Sequence, residues 1–137
     1  MASVSNPDRD VFRERYATSD ADVFLSAELE VLGSDYQANG YTTLAQATDL
    51  GRVLRLTEDH LLLDIGSGCG WPGLFLATKH GCRVVGMDPV EEGTGVAARR
   101  ASTDGLGDRH WSVRGSGDGL PFAPQSFDAV VHTDVTC

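Results

Sequence analysis

Residues 61–77 read LLLDIGSGCGWPGLFLA: a short apolar run, four glycines within eight residues, then a second apolar run. The first run, Leu61 to Ile65, is too short for a stable helix, and Asp64 and Gly66 close it. This predicts a buried strand ending in a tight turn. Pro72 suits the first turn of a following helix, where its missing N–H costs nothing. Leu74, Phe75 and Ala77 carry that helix to Lys79 and His80, two bases matched to its negative end. Gly81 can stop it.

The same alternation continues downstream. CRVVGM is a second strand with Asp88 at its tip, and Val90 to Ala101 is a second helix, weakened by Gly93 and Gly95. HWSVRG is a third strand, SGDGLPFAPQS a loop, and FDAVVHTD the fourth strand and its exit. Strands alternating with helices predict an α/β fold, Rossmann-like, with a mostly parallel sheet and right-handed crossovers. Ligands of such sheets lie beyond the carboxyl ends of the strands. Asp64, the Gly66–Gly70 turn, Asp88, Ser116 and His132 all fall on that rim.

Upstream, the sequence predicts a helical leader or lid over residues 1–55 and a cofactor-binding core over 56–137. Residues 1–10 read as a loose lead-in. Asp20 to Leu32 is a helix with Val23, Phe24, Ala27 and Val31 as its apolar stripe, capped by Asp20 or Ser19 and ended by Gly33. A second helix starts near Thr43, which has the capping-box spacing to Gln46. Leu44, Ala47, Leu50 and Leu54 form its stripe, with Gly51 a cost of up to ~1 kcal/mol.

The totals narrow the function. A chain of 137 residues, 41% hydrophobic, is enough for one packed domain. A formal net charge of -9 disfavours nucleic acid and polyphosphate partners. Cys69, Cys82 and Cys137 are irregularly spaced, so neither a disulfide framework nor a metal site is expected. The polar N-terminus is no signal peptide and no run is long enough to span a membrane, which makes the cytoplasm the expected location.

Two cofactors compete for the glycine turn. Gly68, Gly70 and Gly73 match GxGxxG, and Asp88 stands twenty residues after Gly68, as in a dinucleotide site. Yet that frame begins after the strand has already turned, and a carboxylate at position 64 would repel a pyrophosphate. The alternative frame is DIGSGCG, Asp64 to Gly70. Its glycines let the backbone pass close under a ligand. Asp64 would welcome an ammonium or a sulfonium, or would receive local backbone N–H groups. Asp88 can take both hydroxyls of a ribose in either frame.

Three segments in order then define a resemblance. LLLDIGSGCGWPG, VVGMDP and GLPFAPQSFDAVV resemble the first motif, the second motif and the fourth-strand region of class I S-adenosylmethionine-dependent methyltransferases, in their small-molecule branch. The likeness covers about Leu61 to Val131. It implies that Asp64, Gly66, Ser67, Gly68, Gly70, Asp88, Pro89, Ser116 and Gly117 surround S-adenosyl-L-methionine. It also implies a small-molecule methyl acceptor near His132 and Asp134, and makes Tyr41 the candidate aromatic lid. Trp71 covers the cofactor or shields the helix start. Where the family pattern is GDAxxLPF, this sequence has Ser116 in place of the aspartate that binds adenine, and Asp118 is a possible substitute.

The resemblance also implies a seven-stranded sheet in the order 3-2-1-4-5-7-6. The chain is therefore expected to be the N-terminal part of such an enzyme, with a sheet left incomplete at the C-terminus. Self-association is one way to cover the fourth-strand edge. A cofactor-binding fragment without turnover and an NAD-dependent oxidoreductase are the alternative functions.

Overall fold

A computed structural model describes residues 7–134. The elements are α1 (Pro7–Thr18), α2 (Asp22–Leu32), α3 (Leu44–Val53), β1 (Leu61–Ile65), α4 (Gly73–His80), β2 (Arg83–Asp88), α5 (Glu91–Thr103), β3 (His110–Arg114) and β4 (Ala129–His132). The four strands form one sheet in the order β3-β2-β1-β4, and every pairing is parallel. The α/β class and all four expected strands are present, within two residues of the sequence boundaries. Cys137 lies outside the described residues.

Parallel strands covered on both faces read as continuous apolar runs, because neither face meets water. Leu62, Leu63 and Asp64 are accordingly all buried. Leu62, Leu74, Leu76, Cys82, Val84 and Ala97 belong to one core between β1, β2, α4 and α5. Asp128 closes the far side of the sheet: its Oδ2 accepts from Leu61 N at 2.8 Å and fixes β4 against β1.

Local chemistry sets the helix ends. Gly33 and Gly81 take φ of 76° and 72°, and their N–H groups donate to Leu29 O and Ala77 O. The capping box at Thr43 is complete: Gln46 N donates to Thr43 Oγ1 at 3.2 Å and Thr43 N donates to Gln46 Oε1 at 2.8 Å. Thr43→Ala should lower stability by about 1 kcal/mol in chemical denaturation; an unchanged midpoint would deny the cap a role. Gly51 is also accounted for. Any Cβ there would collide with the His80 ring of α4, so the glycine lets α3 and α4 approach.

Three expectations about the leader are corrected. Residues 7–10 are not loose but open α1. The cap of α2 is Ala21, with no side-chain bond, rather than Asp20 or Ser19. The apolar stripe of α2 faces outward: Val23, Phe24 and Val31 are 70%, 57% and 73% exposed, while Glu28 and Leu32 are buried. Glu28 reverses the helix because its Oε1 accepts from Ser34 Oγ and Tyr36 N, both at 2.9 Å. A buried carboxylate with two donors is tolerated where a bare one is not. The second crossover helix starts one residue later than Val90 and runs on to Thr103. Among the described residues no helix is long and apolar enough to cross a membrane.

Candidate active site

The turn after β1 is built on the end of β2. Gly66 N and Ser67 N both donate to Met87 O, at 2.8 and 3.1 Å, and Gly70 N donates to Ser67 O at 2.8 Å. Gly66, Gly68 and Gly70 take φ of 69°, 50° and 106°, the left-handed region that favours glycine. The alternation Gly66-Gly68-Gly70 is thus the frame in which the backbone turns. Gly73 has a different task. A Cβ there would lie 2.6 Å from Asp64 Oδ2 and 3.1 Å from Val84 Cγ1, so this glycine lets α4 seat against the strands.

Asp64 faces inward. It is 1% exposed, and its Oδ2 accepts from Gly73 N at 2.9 Å, bracing the start of α4. Oδ1 has no hydrogen-bond partner among the described residues. Burial raises its pKa from 3.8 to about 8, opposed by the Gly73 hydrogen bond and assisted by Asp88. Near neutral pH the proton stays mostly on Asp64. Charge at this position therefore does not discriminate between the two cofactors as the sequence reading expects.

Asp88 ends β2 with both oxygens on the turn. Oδ2 accepts from Gly68 N at 2.9 Å and Oδ1 from Val90 N at 2.8 Å. It is 4% exposed, and burial raises its pKa against these two hydrogen bonds. Each carboxylate oxygen keeps a further lone pair, so the group can hold the turn and still receive hydroxyls. Pro89 is half-buried between Asp88 and Val90.

The remaining rim residues divide. Gly117 lies over Ile65, where an added Cβ would stand 3.5 Å from Ile65 Cγ2. Ser116 Oγ donates to Asp118 Oδ2 at 3.2 Å, so the two candidates for the adenine contact form one polar unit. Phe122 is edge-on to Phe127 at 4.9 Å, and Leu120 is 46% exposed. His132 is exposed at the exit of β4. Asp134 reaches back to the leader, where its Oδ2 accepts from Tyr41 N, Thr42 N and Thr42 Oγ1 at 3.0, 3.1 and 2.9 Å. Gly40 leaves the room this clasp needs, since a Cβ there would strike the carboxylate.

Tyr41 is 85% exposed and does not cover the glycine turn. Tyr16 of α1 does, a residue the sequence reading missed. Its Oη would stand 3.0 Å from a Cβ on Gly68, and it packs with Cys69 and Val90. Burial and the nearby Asp88 carboxylate push the Tyr16 phenol well above its usual pKa, and burial pushes the Cys69 thiol up to about 12. Trp71 shields the helix start. Its ring lies between Tyr36 and Phe75, at 5.1 and 5.5 Å, and Nε1 donates to Thr42 O at 3.0 Å.

A second space adjoins the turn. A cleft of about 360 Å³ runs between α1, α2 and residues 37–41, with Phe24, Ala27, Val31 and Leu32 on its apolar wall. Ala38, Asn39 and Gly40 line both this cleft and the small space above Gly66–Cys69. A backbone turned on three alternating glycines, a carboxylate at the tip of β2 and the polar Ser116–Asp118 unit beyond β3 fit an adenosyl cofactor.

Comparison with known proteins agrees with this geometry. Residues 62–137 match the family described as "Methyltransferase domain". Erythromycin 3''-O-methyltransferase of Saccharopolyspora erythraea is 33% identical over 89 residues, which is 64% of this chain and 29% of that protein. Sterol 24-C-methyltransferase of Eremothecium gossypii is 33% identical over 82 residues, 60% of this chain and 22% of that protein. The chain thus spans less than a third of the length of these curated relatives. A crystal structure of an S-adenosylmethionine-dependent methyltransferase from Geobacter sulfurreducens, in complex with S-adenosyl-L-homocysteine, superposes with a TM-score of 0.65. It is 26% identical and covers 80% of this chain and 44% of that one. With more than half of its residues matched, and with the turn, strand order and Asp88 in agreement, the chain belongs to the class I S-adenosylmethionine-dependent methyltransferases.

Proposed function

We propose that this chain carries the cofactor-binding part of an enzyme that transfers a methyl group from S-adenosyl-L-methionine to a small, largely apolar acceptor. The observation that carries the reading is the apolar cleft of about 360 Å³ sharing residues 38–40 with the space above the glycine turn. Its size falls within the range of small-molecule sites, roughly 300–1,000 Å³. Acceptors of the kind named for the relatives, a macrolide and a sterol, have the apolar surface such a wall would cover.

In this reading Gly66, Ser67, Gly68 and Gly70 give the cofactor a backbone floor, with Asp64 bracing it from below. Asp88, beside Pro89, receives the ribose hydroxyls, and Ser116, Gly117 and Asp118 border the adenine. The bound cofactor supplies a methyl group already activated by its sulfonium. The chain's own task is then to align the acceptor and exclude water. His132 stands at the β4 exit and can take the proton of a hydroxyl acceptor. Asp134 holds residues 41 and 42 at the same rim, and so positions Tyr41 beside the cleft. We place the enzyme in the cytoplasm, supported by the free thiols of Cys69 and Cys82.

Calorimetric titration with S-adenosyl-L-homocysteine, with NAD in parallel, tests the cofactor. Saturable binding of the first alone is expected; binding of NAD alone would refute the reading. Transfer of a labelled methyl group to a panel of macrolides, sterols and nucleic acids tests the acceptor. Labelling confined to nucleic acid would overturn the apolar assignment, and tight binding with no transfer would mark a cofactor-binding unit without turnover.

A further inference from the structure

We propose that Glu28 is the specificity anchor of the apolar cleft, and that the acceptor is an apolar body carrying a protonated amine. This rests on the reading of the cleft as the acceptor site and narrows it to a substrate class. Phe24, Ala27, Glu28 and Val31 recur at i, i+3, i+4 and i+7, so they share one face of α2, and all four line the cleft. A carboxylate thus interrupts an otherwise apolar row.

Its structural task does not explain its charge. Oε1 accepts from Ser34 Oγ and Tyr36 N and so ties the turn after α2. Glutamine has an acceptor for the same two donors. The second oxygen is in excess of that task, since no described residue donates to Oε2. Glu28 is 9% exposed, yet Oε2 is not sealed inside the protein: the space that Glu28 borders is the cleft.

The chain does not neutralise this group either. Arg15, the other charged residue of the lining, stands over the Phe12 ring at 5.6 Å and makes no ion pair with Glu28. A charge held in an apolar wall is costly until a counter-charge meets it. An ammonium supplies both the missing donor and the missing charge, whereas a hydroxyl supplies the donor alone. One well-placed polar group in an apolar wall also fixes the orientation of a ligand.

The anchor stands on the turn's side of the cleft. Ser19, which lines the cleft, has its Oγ 4.0 Å from Cys69 Sγ. The Cys69 thiol, raised first by burial, is raised further by the charges of Asp88 and Glu28. An amine seated on Oε2 therefore lies within electrostatic reach of the glycine turn, with its apolar body along Phe24, Ala27 and Val31.

Three probes on one adamantane cage, bearing an amine, a hydroxyl or a carboxylate at the bridgehead, test the anchor. Binding is read from the amide shifts of α2 and residues 37–41 in roughly 0.15 M salt, which screens the acidic surface. The amine should bind at least about tenfold more tightly than the carboxylate, with the alcohol between them. In Glu28→Gln, which keeps the acceptor for Ser34 and Tyr36, that preference should disappear. Val31→Lys, an exposed change one turn on, sets an ammonium of the chain beside Glu28. It should abolish the preference too, and serves if Glu28→Gln misfolds. Equal affinity for amine and carboxylate in the wild type would overturn the anchor while leaving the apolar cleft intact. So would an amine preference that persists in a folded Glu28→Gln or Val31→Lys protein, because it would belong to the acidic surface. Saturable shifts with none of the three would overturn the cleft as the acceptor site and the anchor with it.

Discussion

Asp88→Ala should reduce affinity for S-adenosyl-L-homocysteine by at least about 100-fold. Two charge-assisted hydrogen bonds to ribose hydroxyls contribute roughly 1.5–3 kcal/mol each, and a loss of about 3 kcal/mol exceeds a factor of 100 in Kd. The variant also strips Gly68 N and Val90 N of their acceptor. The turn then loosens as the ligand contact disappears, and thermal stability should fall too. Asp88→Asn separates the two effects. It keeps the shape and one acceptor oxygen but loses the charge, so affinity should fall by less and the fold should soften less. Titration calorimetry and a melting curve read both. Undiminished affinity in a folded Asp88→Ala protein would remove this residue from the site.

Asp64→Asn should flatten the dependence of stability on pH. The wild-type carboxyl titrates at about 8 in the folded chain and near 3.8 when unfolded. Between those values the folded state holds a proton that the unfolded state releases. Stability therefore falls as pH rises through this window, by up to about 1.4 kcal/mol per pH unit for one full proton, and levels off above pH 8. Asp88, also raised by burial, acts in the same direction. His110 works on the acid side: burial lowers its pKa, so below about 6.5 the unfolded chain gains the proton first and stability falls as pH drops. Asn at position 64 keeps an acceptor for Gly73 N and has nothing to titrate. Denaturation midpoints at pH 5, 6, 7 and 8 should converge on a shallow slope for the variant, whereas parallel curves would mean that Asp64 is ionised in the native protein.

The sheet and the glycine turn were legible because their signals are local. Apolar runs mark β1 and β2, Gly81 marks a helix end, and Thr43 with Gln46 marks a helix start. The direction of Asp64 was not legible. With both faces of β1 covered, buried residues follow one another and alternation carries no information about facing. Helix α1 was missed because a helix anchored by one residue has no stripe to find. Weaker signs were present: Pro7 at its first position, Asp8 and Asp10 in its first turn, Arg15 in its last, and Phe12 four residues before Tyr16. In α2 the stripe was read correctly as helical, but Glu28 found donors in Ser34 and Tyr36 that no periodicity encodes. The same limit hid Tyr16: its packing against Gly68, Cys69 and Val90 reveals what it covers.

The ties described above also rank the steps by which the chain assembles. Gly68 and Asp88 are 20 residues apart, whereas Leu61 and Asp128 are 67 apart and Asp134 reaches Tyr41 across 93. Closing the 67-residue loop costs about 1 kcal/mol more chain entropy than closing the 20-residue one. The β1-turn-β2 unit is therefore the affordable nucleus, and β4 with its clasp on the leader docks afterwards. Amide labelling during refolding would find β4 protected last. A nascent chain would then hold the Asp88 carboxylate already tied to the glycine turn while the β4 exit with its clasp on the leader is still unformed.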